Sequence, residues 1–115
     1  MVDTTLVTIP AHEIVDWESF HTVFSAALGF PEFYGRNLDA WVDCMFSVDD
    51  PDSGMTRPSI SPGSMMVLVI AEVNSFRERC SEQYEALVEC VAFVNQERVV
   101  KGQPPVLALA FSGAF

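Results

Sequence analysis

Residues 65–71, Met-Met-Val-Leu-Val-Ile-Ala, form an unbroken apolar run between Gly63-Ser64 and Glu72. The run is far shorter than the roughly 20 residues of a membrane span, and its length and β-branched content suit a strand. Continuous rather than alternating apolarity predicts burial on both faces, which puts this strand in the middle of a sheet. A middle strand needs neighbours, and two segments offer them. Val2–Ile9 is rich in Val, Thr, Leu and Ile and is ended by Pro10; Val106–Phe111 follows Pro104-Pro105.

Between these strands the periodicity is helical. Asp16 is placed to cap a first helix in which Trp17, Phe20, Phe24, Ala27 and Leu28 recur at helical spacing. Gly29 is placed to stop it, and Phe30 to make the apolar contact that accompanies a glycine cap. A second helix is predicted from about Leu38 to about Ser47 and a short one over Ser75–Cys80. Ser81 opens a longer helix with Tyr84, Leu87, Val88, Val91 and Val94 on one stripe, stopped at Lys101-Gly102. The order is β-α-α-β-α-α-β, so the strands are joined by crossovers and run parallel. Right-handed crossovers of the same sense place all the helices on one face of a three-stranded α/β sheet. With 115 residues, half of them hydrophobic, one domain spanning 1–115 around one core is expected.

The net charge of −10, with only six Lys and Arg, argues against nucleic acid or an anionic membrane as partner. It favours a basic protein partner, or solubility alone. The opening Met-Val-Asp-Thr-Thr lacks the basic and apolar regions of a secretory signal, so a cytoplasmic protein is expected. Cys44, Cys80 and Cys90 are odd in number and lack metal-type spacing, which reads as free thiols in a reducing compartment. His12 and His21 read as surface or boundary residues. The segment 48–63, rich in Asp, Ser, Gly and Pro, is a long loop. Its Asp49, Asp50 and Asp52 lack the spacing and the closing glutamate of a calcium loop, so a solvated mobile loop is expected. Phe93, Phe111 and Phe115 read as core or terminal packing.

The stretch most informative about function is Phe30–Met45. Pro31 biases Phe30 away from helix, Tyr34-Gly35 reads as a turn using glycine's conformational freedom, and Asn37 as an N-cap. Asp39 and Asp43 are spaced i,i+4 and project from one face, where like charges cost roughly 0.2–0.5 kcal/mol. Asp39 recovers part of this from the helix N-terminus; Asp43 lies too far along. A paired acidic face beside an aromatic loop asks for a cationic partner. By helical angle, Leu38, Trp41, Val42 and Met45 cluster on one side as a core stripe, with Arg36, Asp39, Asp43 and Phe46 about a quarter-turn away. The blander reading of both aspartates is the solvated face of an amphipathic helix.

The run Pro31-Glu32-Phe33-Tyr34-Gly35-Arg36-Asn37-Leu38-Asp39-Ala40-Trp41-Val42-Asp43-Cys44 resembles the signature of the barstar family, small intracellular inhibitors of secreted bacterial ribonucleases. That signature places a proline, an acidic residue, aromatics and a glycine before Asn-Leu-Asp-Ala, with a second Asp-Cys four residues after the first Asp. The resemblance implies a three-stranded parallel sheet of order 1-2-3 with helices packed on it. It also implies that Leu38 and Val42 border an inhibitory surface while Trp41 and Met45 turn inward, the version adopted here because Ala40, Trp41, Cys44 and Met45 still make an adequate buried face.

The implied partner is a basic, barnase-like extracellular ribonuclease, whose phosphate-holding active site is plugged by an acidic helix. Asp43 matches the family's central hot-spot aspartate and Asp39 its companion. Phe33 stands where the family has a tyrosine that packs on the enzyme's histidine, and Val42 where it has a tryptophan. Gly35, Asn37 and Leu38 match the loop and cap, and Glu97 aligns with a further contact. With Phe46 these form the candidate partner-binding set. The changes at Phe33 and Val42 leave the acidic centre intact and alter its aromatic frame, so a barstar-like interaction domain for a different basic protein is the alternative. A monomer is expected in the unbound state. No Gly-rich phosphate loop, nucleophile elbow or His/Cys cluster is present, so neither a cofactor nor an enzymatic activity is expected. Two carboxylates serving as acid and base, or holding Mg²⁺, make the weakest reading.

Overall fold

The structure, a computed structural model, describes residues 3–113; Val2 of the expected first strand and Phe115 lie outside the described residues. Strand β1 (Thr4–Ile9) leads through a short 3-10 turn at Ala11–Glu13 into helix α1 (Trp17–Leu28) and then helix α2 (Leu38–Phe46). Strand β2 (Met65–Ile70) follows, then helices α3 (Val73–Arg79) and α4 (Ser81–Val100), and strand β3 (Leu107–Phe111). The sheet is parallel with order β1-β2-β3, Thr4 to Ile9 pairing in register with Met65 to Ile70, and Met66 to Ile70 with Leu107 to Phe111.

The helices cover one face. Met66, Leu68 and Ile70 are fully buried beneath them, whereas Met65, Val67 and Val69 are only half-buried. Burial of β2 on both faces, expected from its unbroken apolarity, is therefore not met. All crossovers lie on one side, so the other face is shielded only by neighbouring strands.

Local chemistry sets the helix ends. The Asp16 carboxylate accepts from the Ser19 backbone N–H at 2.8 Å, and the Ser19 hydroxyl oxygen accepts from the Asp16 N–H, closing a capping box. The Ser19 N–H, and then the Ser19 hydroxyl donating to Asp16 Oδ1 at 2.7 Å, hold the Asp16 carboxyl below its ordinary pKa. At the other end Gly29 adopts φ +58, and a Cβ there would sit 2.6 Å from Arg57 Cβ, so both backbone and space demand glycine. Helix α3 begins two residues earlier than the sequence suggests. Glu72, at φ 51, turns the chain directly out of β2, so Val73 already starts the helix.

The core is aromatic around α1. Phe20 and Phe24 pack at 4.8 Å between ring centres, and Phe24 meets the buried Trp41 of α2 edge-on at 5.7 Å. Three expectations need correction here. His21 is buried at 5% exposure, its Nδ1 lying 2.6 Å from the Tyr34 hydroxyl, because the Phe30–Gly35 loop folds over α1 and closes on it. Along α4 the buried positions are Gln83, Leu87, Val91, Val94 and Arg98; Val88 is exposed, and Tyr84 is half-buried against Phe76 and Phe111. Phe93 is half in solvent at 50% exposure, and Phe111 at 41%.

The segment after α2 is also no free loop. Val48, Thr56 and Ile60 are buried, the Ile60 N–H donates to the Val48 carbonyl, and the Arg57 N–H donates to the Leu28 carbonyl. Its composition suggested solvent because the few anchoring side chains are spaced far apart among Pro, Ser and Asp.

Candidate functional site

Helix α2 is launched by Asn37, whose side-chain oxygen accepts from the Ala40 N–H at 2.8 Å. Its inward face is Trp41, Cys44 and Met45, all buried, while Leu38 and Val42 are half-buried at its flank. The core stripe read from helical angle alone is thus corrected at Leu38 and Val42, which are only half-buried, while Trp41 and Met45 turn inward as the family signature implies. Alternation of large apolar residues could not separate them, since both alternatives offer a continuous stripe.

The turn before the helix is built differently from its sequence reading. Gly35 stays out of the left-handed region; Arg36 occupies it, at φ 53. A left-handed arginine is strained by about 1 kcal/mol or more. Its guanidinium is engaged in return, Nη2 donating to the Glu18 carbonyl and to Thr22 Oγ1, each at 2.8 Å. Arg36 therefore straps the loop to α1 and does not belong to the acidic face. Gly35 matters for closeness, because a Cβ there would lie 3.2 Å from Asn37 Nδ2, which reaches back to the Gly35 carbonyl. Tyr34 packs beneath the loop as expected, against Phe30 and His21. Burial pushes its phenol pKa well up and the His21 imidazole pKa down, Arg36 adding to the latter.

Above this support lies a groove of about 330 Å³ lined by Phe33, Tyr34, Gly35, Asn37, Asp39, Ala40, Asp43, Cys44 and Met55. It gathers five of the candidate residues: Phe33, Gly35, Asn37, Asp39 and Asp43. Phe33 is 77% exposed, and both aspartates are exposed. Among the described residues neither aspartate makes an ion pair; Asp49 pairs with Arg98, and Glu13 lies 3.7 Å from His12, a pair only when that histidine is protonated. Beneath Asp43, the Cys44 thiol is pushed up to about 11, first by burial and then by the Asp43 charge.

The other candidates lie elsewhere. Leu38 and Val42 line a second cleft against α4, with Asp39, Glu89, Cys90 and Phe93. Phe46 is turned toward the end of α4, where Lys101 Nζ lies 4.8 Å and Arg98 Cζ 5.5 Å from its ring centre. Glu97 is half-buried, one residue before Arg98 on that same helix, and lines neither cleft. Met55, Glu89 and Phe93 were not singled out as surface residues from sequence. Met55 sits in a Ser/Pro-rich segment with no periodicity to place it. Glu89 and Phe93 carried a usable signal, an acidic and an aromatic residue spaced i,i+4 on one helix.

No group of three or more His, Cys, Asp or Glu among the described residues is arranged to hold a metal ion. No helix among them is long and apolar enough to cross a membrane. What the groove offers chemically is a pair of solvated carboxylates, one turn apart on α2, beside an exposed ring.

No curated protein matches this chain significantly. The family model described as Barstar (barnase inhibitor) matches residues 4–110, nearly the whole chain. With its parallel three-stranded sheet and its Asn37-Leu38-Asp39-Ala40 helix start, the chain belongs to the barstar family.

Proposed function

We propose that this protein is a proteinaceous inhibitor of the immunity or antitoxin type, acting in the cytoplasm as one domain, that binds a basic secreted-type ribonuclease. It blocks the enzyme with the Asp39/Asp43 face of α2 and the Phe33–Gly35 loop. The observation that carries this reading is the groove in which two exposed carboxylates, unpaired among the described residues, stand beside Phe33. An enzyme that cleaves RNA must hold a phosphate with Arg, Lys or His, and the two carboxylates present the same charge to those groups. Charge-assisted bonds from arginine to carboxylate are strong and often bidentate, and the net charge of −10 favours encounter with a basic partner. Family membership supports the partner class, since the matched family is described by inhibition of barnase.

The test is calorimetric titration with a small barnase-like ribonuclease at low and moderate salt. One-to-one binding that weakens with salt and collapses in Asp43→Ala is expected; equal affinity of mutant and wild type overturns the role of the helix. The barnase–barstar complex is itself the standard measured case of such charge pairing.

A second reading keeps the acidic surface and changes the partner. The altered aromatic frame favours it, because the exposed carboxylates are kept while Phe33 and Val42 stand where the family has a tyrosine and a tryptophan. Recovery of a stoichiometric basic partner without nuclease activity would establish it.

A further inference from the structure

Met66, Leu68 and Ile70 point into the helix layer, so Met65, Val67 and Val69 face the other way, in register with Thr4, Leu6 and Thr8 of β1. None of the six side chains on this open face is ionisable, although the chain carries a net charge of −10. The edge of the sheet at β1 is equally bare. The Met65 N–H donates to the Asp3 carbonyl and the Ala71 N–H to the Ile9 carbonyl, so the odd-numbered residues of β1 bond to β2. The N–H and C=O groups of Thr4, Leu6 and Thr8 therefore point outward, and among the described residues they have no partner.

The opposite edge is treated differently. Asn95 of α4 accepts from the Leu107 N–H through Oδ1 and donates to the Leu107 carbonyl through Nδ2, which closes β3 at its start. Strand β1 has no such cover, and no charged residue, proline or bulge between Thr4 and Ile9 keeps another strand away. Leu6, at its centre, is 67% exposed.

We infer that β1 is a self-pairing edge, on which a second copy of this chain docks antiparallel about a twofold axis at Leu6. The outward groups select that occupant, because Thr4 and Thr8 stand symmetrically about Leu6. A dyad there pairs all three: Leu6 faces the second copy's Leu6, and Thr4 faces its Thr8, each pair exchanging two N–H···O bonds. The side chains match as well, leucine against leucine and threonine against threonine on the open face. Charge points the same way. Two chains of charge −10 repel least across a seam without carboxylates, and Asp3, just outside it, falls opposite Ile9 and not opposite its own copy. A single strand seam buries less than the roughly 800 Å² per partner of a stable complex, so the dimer is weak. The unbound chain, expected from its sequence to be a monomer, is one only when dilute. No residue lining the acidic groove belongs to β1, so the dimer presents two grooves.

The test is sedimentation of the full chain from about 10 μM to about 1 mM, the range in which weak complexes populate. The mass should rise from that of one chain toward that of two. It should rise further with salt, which screens repulsion between acidic chains, whereas a basic partner on α2 would be weakened by salt. Amide hydrogen exchange gives a readout that needs no variant: the Thr4, Leu6 and Thr8 amides should exchange freely when dilute and become protected as concentration rises. Leu6→Lys, at an exposed position, should push dimerisation several-fold higher in concentration by setting like charges opposite one another.

The mass of one chain throughout overturns the inference. So does a dimer whose Thr4, Leu6 and Thr8 amides stay unprotected, or one that survives Leu6→Lys unchanged, since either places the contact elsewhere. Ribonuclease affinity should be equal for wild type and Leu6→Lys. Its loss in the variant would put β1 in the partner surface and overturn its role as a seam between copies.

Discussion

Arg98 Nη2 lies 2.6 Å from Asp49 Oδ2, with Arg98 almost fully buried and the Asp49 side chain 17% exposed. The same guanidinium donates through Nη1 to the Phe46 carbonyl at 2.7 Å and through Nε to the Pro104 carbonyl at 2.8 Å. One side chain of α4 thus closes the C-terminal end of α2, anchors the segment that follows it, and ties down the approach to β3. The arrangement satisfies an orphan carbonyl at a helix end, where a cation is also favoured by the helix dipole. It fixes the C-terminal end of the helix that carries Asp39 in its first turn and Asp43 one turn further on.

Asp49→Ala should be strongly destabilising, because it leaves a buried guanidinium without its counter-charge. Breaking one side of a buried pair costs about 3–5 kcal/mol, and the residual exposure of Asp49 puts the expectation at the lower end of that range. Urea unfolding of the two proteins measures it. A loss below about 1 kcal/mol, the scale of a surface pair, would mean that the Asp49–Arg98 contact is solvated.

His21 makes stability depend on pH. Its folded pKa lies below the ordinary 6.5, chiefly through burial and secondly through the Arg36 charge. A histidine depressed in the folded state stabilises fully above the unfolded pKa, and that stability is lost as the pH falls from there toward the folded value. In the neutral Nε2–H tautomer the Tyr34 hydroxyl donates to Nδ1. Protonation replaces that acceptor by a second donor, so the loop that carries Phe33 should loosen as the histidine charges. Unfolding free energies at about pH 7.5 and about pH 5.5 should differ more for the wild type than for His21→Gln, which cannot ionise there. Identical pH profiles would place His21 in contact with solvent.

Cys44 should be inert although it lines the candidate groove. With its pKa near 11, only about one thiol in a thousand is ionised at pH 8. Iodoacetamide mapping of the native protein at that pH should leave Cys44 unlabelled. Asp43→Asn removes the second cause of the shift and should raise its labelling rate modestly. No change would assign the whole effect to burial.

Much of the fold was legible because its signals are local. Asp16, Gly29 and Asn37 cap or end helices as their chemistry dictates, and the unbroken run at Met65 to Ile70 marks the central strand. The acidic groove was legible for the same reason, as Asp39 and Asp43 share a face by helix geometry alone. What escaped was contact between distant segments. Nothing near Arg98 announces that its partner is Asp49, and nothing near His21 announces that Tyr34 will cover it. Arg36, counted with the acidic face by angle, is claimed by Glu18 and Thr22 of a different helix. Phe93, taken for core, is exposed because the buried stripe of α4 passes through Leu87, Val91 and Val94.

Asp43 of α2, with Asp39 as its reference, distinguishes a binding face from a merely solvated one, because its stability and affinity effects have opposite signs. Asp43 sits four residues after Asp39, past the first turn, so it bears the like-charge repulsion with little help from the helix dipole. Asp43→Asn should therefore leave the free protein slightly more stable, by about 0.2–0.5 kcal/mol, with the gain shrinking in high salt. Asp39→Asn should be nearly neutral, since relief of repulsion is offset by loss of a favourable charge in the first turn. In complex with a barnase-like ribonuclease the sign reverses for Asp43: truncating one member of a desolvated charge pair costs about 2–5 kcal/mol, a range that rests in part on barnase–barstar itself. Denaturation and binding of the same two variants decide the matter. If Asp43→Asn stabilises the free chain and weakens the complex, the face is held acidic at a cost that only recognition explains. If it stabilises the free chain and leaves binding intact, the acidic helix is a solvated surface and the partner docks elsewhere.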